Sequence, residues 1–138
     1  MSTGDLLESL YKTKNINQYV DQMNMPELPS FSDYVRELCQ NSGKTPQHVI
    51  KRSGIERTYG HQIFNGTRKP SRDKVIQLAL GFGLNVEKTQ KMLKIAEKGE
   101  LYPRIKRDAM LLYCIAHGME YAETQNALKH FELQPLGK

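Results

Sequence analysis

The stretch HVIKRSGIERTYGHQIFNG, His48 to Gly66, reads as two short helices around a tight turn. Val49 and Ile50 give the first helix an apolar face, and Gly54 suits the turn. The second helix runs from about Arg57 to Phe64 and is closed by Asn65-Gly66. Gly60 stands in mid-helix, where a core side chain is expected. A glycine there costs about 1 kcal/mol relative to alanine. Either it breaks the helix or it makes room for a neighbour.

Outward from this stretch the pattern stays helical. Upstream, Ser30-Phe31-Ser32-Asp33 has capping-box spacing, with Asp in place of Glu or Gln. Phe31, Tyr34, Val35, Leu38 and Cys39 then share one helical face, and Gly43 suits the stop. Thr45 can cap the next helix and Pro46 fits its first turn. Downstream of the loop Thr67 to Ser71, Ser71 caps a fourth helix through Val75, Ile76, Ala79 and Leu80. Gly81-Phe82-Gly83 reads as a break, and Asn85 caps a fifth helix to about Ala96. Two more helices are expected over about Asp108–Ala116, with His117 at its end, and Tyr121–Phe131. Near the N-terminus, Leu6, Leu7 and Leu10 form one short apolar stripe, and Ile16, Tyr19, Val20 and Met23 form a second. Thr13 to Asn15 separates these two short helices, and the prolines of Met25 to Ser30 mark a linker.

The chain repeats itself at an offset of 35 residues. RDKVIQLALGFGLNVEKTQKMLKIA (72–96) aligns without gaps on RDAMLLYCIAHGMEYAETQNALKHF (107–131), and seven of the 25 positions are identical. They are Arg72/Arg107, Asp73/Asp108, Gly83/Gly118, Thr89/Thr124, Gln90/Gln125, Leu93/Leu128 and Lys94/Lys129. This predicts a duplicated helical hairpin. Two copies are too few for a solenoid, so the second either packs on the first or forms a partner surface.

At 138 residues the chain fits one domain with appended elements, and it has the composition of an ordinary soluble globule. No apolar run spans a membrane, and MSTGDLLESLYK lacks a signal-peptide core, which places the chain in the cytoplasm. Cys39 and Cys114 each sit on an apolar helical face and read as reduced core thiols. His48, His61, His117 and His130 show no metal-ligand spacing. Gly81-x-Gly83 follows a helix rather than a strand, so it is not a phosphate loop. No serine has a nucleophile context, and the sequence implies no enzyme, no cofactor and no metal.

The net charge of +5 is concentrated in the middle of the chain. Residues 44 to 74 carry eight Lys/Arg against Glu56 and Asp73, a net +6, while residues 1 to 43 sum to −3. A local basic patch points to a polyanion, most often nucleic acid.

On these residues the chain resembles the Cro/lambda-repressor-like (XRE-type) helix-turn-helix family. The resemblance covers about residues 32 to 96 and rests on Thr45, Gly54, Ile55 and Ile63. The loop Asn65-Gly66-x-Arg68-Lys69-Pro70-Ser71 and the segment LALGFGLNVEKT (78–89) also match the family pattern. It departs from the pattern at Pro46, where the family often has glutamine; here Gln47 follows. The family also has a small residue in mid-helix two and a large one in mid-helix three. Here those positions are Ile50 and Gly60, so the large and small partners look exchanged across the helix crossing with total volume kept.

The resemblance implies an all-α, lambda-repressor-like five-helix domain over residues 30–98. It is preceded by an N-terminal helical extension (1–29) and followed by a C-terminal helical hairpin (99–138). It implies sequence-specific binding to double-stranded DNA, as in a transcriptional regulator. With Gly60 and Ile63 facing the core, Arg57, Thr58, His61 and Gln62 face outward and fall on the family's base-reading positions. Gln47, Lys51, Tyr59, Asn65, Arg68, Lys69 and Arg72 are candidates for phosphate contact. For Lys51 and Arg72 a solvated face explains the charge equally well, and the Tyr59 ring can instead pack on helix two. Recognition helices this short usually act in pairs, so a homodimer is expected, with the terminal helices as its surface or as a docking site for another protein. The rival reading is a protein-interaction adaptor that uses the same fold without DNA.

Overall fold

Most helices in this chain begin where a side-chain oxygen can take a free amide, and the helix after Ile105 is the exception. The computed structural model describes residues 28–137, which form seven helices and no strand. They are α1 (Phe31–Ser42), α2 (Pro46–Arg52), α3 (Arg57–Asn65), α4 (Arg72–Phe82), α5 (Val86–Ile95), α6 (Lys106–Ala116) and α7 (Tyr121–His130). The all-α expectation holds for these residues. The helices expected over Leu6–Leu10 and Ile16–Met23 lie outside the described residues, and no described helix is long and apolar enough to cross a membrane.

Ser30, Thr45, Ser71 and Asn85 cap α1, α2, α4 and α5. Each accepts from the amide three residues on, at 3.2, 3.2, 3.3 and 2.8 Å. Gly43, Gly66 and Gly83 close α1, α3 and α4 in the left-handed conformation. Cys39 and Cys114 are buried free thiols, and burial pushes both above the ordinary thiol pKa.

Gly60 does not break α3. Its amide donates to the Glu56 carbonyl at 2.8 Å, in register with the helix. It is buried against Ile50, and a Cβ on it would lie 2.5 to 2.9 Å from three Ile50 carbons. The two positions share one volume, as the exchange reading requires.

Gly81 corrects the sequence reading. It is not a break, because α4 continues through Gly81 and Phe82 and stops only at Gly83. A Cβ on Gly81 would collide with the Ser53 hydroxyl and come within 2.8 Å of the Val49 carbonyl. Glycine here lets the backbones of α2 and α4 meet. Ser53, fully buried, donates to that carbonyl at 2.6 Å, and buried Gln77 of α4 donates to the Ser53 carbonyl at 3.1 Å.

The repeat is present as two hairpins, α4–α5 and α6–α7, and the second closes on the first. α4 touches α7, and α5 touches α6. One hydrophobic core runs through both, from Val35 of α1 to Leu128 of α7 and Leu136 beyond it. Arg72 makes two hydrogen bonds to Asp108 (3.1 and 2.8 Å), and Arg107 makes two to Asp73 (3.1 and 2.9 Å). Arg72 also donates to the carbonyls of Gly99 and Glu100, and Arg107 to those of Gln134 and Pro135. Gln90 exchanges two bonds with the Leu101 backbone, and Gln125 does the same with Leu136. Contacts in which i meets j′ and j meets i′ are the signature of a two-fold relation. The duplicated halves are therefore paired as an approximate internal dimer, and the inner apolar face of the C-terminal hairpin is covered by this chain itself.

Candidate nucleic-acid interface

The α2–α3 turn is built from both sides. Gly54 takes φ +68°, and the Tyr121 ring of α7 covers it so closely that a Cβ would overlap the ring. Arg52 pairs with Glu120, which caps α7, at 3.2 Å. Ile55 is buried beyond the turn, and Ile63 and Phe64 anchor the inner side of α3. Holding that side inward leaves Arg57 and Thr58 exposed and His61 and Gln62 half-exposed on the outer side. Tertiary packing thus brings the four base-reading candidates onto one accessible face.

The flanking residues divide into two groups. Gln47, Lys51 and Lys69 are exposed. His61 shares a shallow cleft with Arg36, Gln47, Phe64 and Asn65, between α1, α2 and α3. The Asn65 carboxamide oxygen accepts from the Thr67 amide (3.0 Å) and hydroxyl (2.7 Å), which fixes the loop after α3. Tyr59 packs on the core at its inner edge, and two cations lie over its ring: the Arg68 guanidinium at 4.6 Å and the Lys74 ammonium at 5.5 Å. The Arg68 Nε donates to Gln62 Oε1 at 2.8 Å.

Arg72 is a correction. Named from the sequence among phosphate candidates, its guanidinium is instead filled by Asp108 and two backbone carbonyls, 31% exposed at the side chain. Two more of the basic cluster also serve the fold: Lys44 donates to the Phe82 carbonyl at the end of α4, and Arg52 to Glu120. The cations left near α3 are Lys51, Arg57, Arg68, Lys69 and Lys74.

Glu56 is a capping residue at the edge of this face that the sequence reading missed. Its carboxylate caps α3, accepting from the amides of Tyr59 (2.8 Å) and Thr58 (2.9 Å). Those two bonds, with a smaller contribution from Arg68, hold its carboxyl below the usual carboxylate range. The legible signal was an acid directly before a helix, where it suits the positive end of the dipole. It sets one negative charge at the leading end of an otherwise basic face.

In sum of geometry, two short helices on a glycine turn display a polar, cationic helix face beside a closed core. Comparison with protein-family models, with curated proteins and with solved structures returns no match to this chain.

Proposed function

We propose that this chain binds duplex DNA sequence-specifically, with α3 in the major groove, and acts as a transcriptional regulator with a lambda-repressor-like arrangement of α1–α5. The observation that carries the reading is the outer face of α3. Arg57, Thr58, His61 and Gln62 are accessible together while Gly60, Ile63 and Phe64 hold the helix to the core. Arginine can grip guanine O6 and N7, glutamine can pair with adenine N6 and N7, and the threonine methyl can meet that of thymine. Lys51, Lys69 and Gln47, all exposed, and the Tyr59 hydroxyl are the phosphate contacts of this reading, which set register without reading sequence. Two copies acting on two half-sites supply the base contacts that one short helix lacks.

Selection of binding sites from random duplex DNA, followed by titration at several salt concentrations, tests the reading. A selected consensus with salt-dependent affinity supports it. Absence of duplex binding at 50 mM salt, or salt-insensitive association, replaces it with the adaptor.

A further inference from the structure

We infer that Arg68 is a positioning residue for base reading, which locks the Gln62 carboxamide in one orientation and ties it to the DNA backbone; this rests on the DNA-binding reading above. A glutamine carboxamide offers an acceptor at one end and a donor at the other, and rotation by half a turn exchanges them. A freely turning Gln62 would present either group to a base edge, which blurs its readout. Arg68 removes that freedom. Its Nε donates to Gln62 Oε1 at 2.8 Å, and in the flipped orientation the same N–H would face the NH2 group, donor against donor. One lone pair of Oε1 is therefore taken by Arg68, and the second, with the Nε2 hydrogens, stays for N6 and N7 of an adenine.

Arg68 is itself held in place. Its guanidinium lies 4.6 Å from the centre of the Tyr59 ring, and that ring packs on the core. The Tyr59 amide is in turn fixed by Glu56, whose charge also faces Arg68. Gln62 and Arg68 are six residues apart, on opposite sides of the Gly66 cap, so the left-handed stop of α3 is what folds the loop back over the helix. The Nη1 and Nη2 groups of Arg68 have no acceptor among the described residues, which leaves its outer fork for a phosphate. One side chain thus links a sequence-independent contact to a base-reading one.

The test uses the full chain, the consensus duplex it selects, the duplexes substituted at the pair that Gln62 reads, and a random duplex. Arg68→Lys keeps the charge but loses the planar Nε donor and the stacked plane. It should weaken all duplexes alike by losing the phosphate fork, and beyond that common loss the ratio of consensus to substituted-duplex affinity at the Gln62 pair should fall about tenfold, the scale of one specific side-chain–base contact. Gln62→Ala should lose the same discrimination, and Gln62→Ala with Arg68→Lys should lose no more than either alone. Full discrimination in Arg68→Lys, or loss from the double variant equal to the product of the two single losses, overturns the inference and leaves Arg68 a phosphate contact. Circular dichroism and thermal unfolding of each variant separate loss of reading from loss of fold. If the unsubstituted chain binds no duplex, the DNA-binding reading falls and takes this one with it; if it binds and Arg68→Lys discriminates normally, only this inference falls.

Discussion

Arg72 and Asp108 are joined by two hydrogen bonds across the contact between the two halves of the repeat, and Asp108 is 2% exposed. The Tyr102 amide adds a third bond to the same carboxylate. Burial pushes the Asp108 pKa up, but the Arg72 hydrogen bonds, the Tyr102 amide and the charges of Arg72 and Arg107 outweigh it and leave the carboxyl below its usual value. A carboxyl whose folded pKa is depressed contributes stability that is fully present above its unfolded pKa and is lost as pH falls through the folded one. Urea unfolding should therefore show the chain weakening below about pH 4, and Asp108→Asn should flatten that part of the profile. At neutral pH, Asp108→Ala should cost about 3 kcal/mol, the low end for a buried pair, because Arg72 stays partly solvated.

The Ile50–Gly60 contact predicts a coupled double mutant. Gly60→Ile should overpack the α2–α3 crossing at a cost of about 1–3 kcal/mol. Ile50→Ala should leave a cavity and cost about 2–5 kcal/mol. The double variant should lose less than the sum of the two single losses, by a coupling energy of about 1–3 kcal/mol. Thermal unfolding of the four proteins measures it, and additive losses would mean that the new side chain finds other space.

Removing the C-terminal hairpin should not leave a free-standing helix-turn-helix unit. Tyr121 covers Gly54, Arg52 pairs with Glu120, and Arg72 loses its carboxylate when residues 99–138 are deleted. The full chain should unfold in one transition by circular dichroism and by hydrogen exchange, and the truncated chain should exchange its α4 amides freely. Two separate transitions would show that the halves are stable units.

Salt dependence should report the exposed cations rather than the whole basic cluster. With about four to six phosphates neutralised per protomer, log K falls with log salt at about −0.9 per contact. Lys69→Ala should reduce that slope by about one and weaken all duplexes alike. Arg72→Gln should lower the unfolding temperature with the slope unchanged, since its guanidinium is committed to the fold.

Glu56→Ala should move stability and affinity in opposite directions. It removes the cap of α3, so the unfolding temperature falls, and it removes a negative charge from the proposed DNA-binding face, so random-duplex affinity should rise. The cap's contribution is present at neutral pH and is lost on acidification, because its carboxyl titrates lower folded than unfolded. Weakened binding would mean instead that Glu56 accepts from a base, as carboxylates do from cytosine N4.

What the sequence determined by itself is what local interactions decide. Four caps, at Ser30, Thr45, Ser71 and Asn85, and the glycine stops at Gly43 and Gly66 are set within a few residues of the helix end. Helical periodicity likewise told the inner from the outer side of α3, and simple identity exposed the 35-residue repeat. The tertiary structure decided whatever depends on which segment arrives opposite. Gly81 reads as a break until the Ser53 and Val49 backbone is seen against it. Arg72 reads as a free cation until Asp108, 36 residues away, fills its fork. Whether the second hairpin would pack on the first or face a partner was open, because a duplicated apolar face fits either. The reciprocal pairing of Arg72 with Asp108 and Arg107 with Asp73 closes it on the first, since a buried charge needs its counter-charge and each half carries the one the other requires.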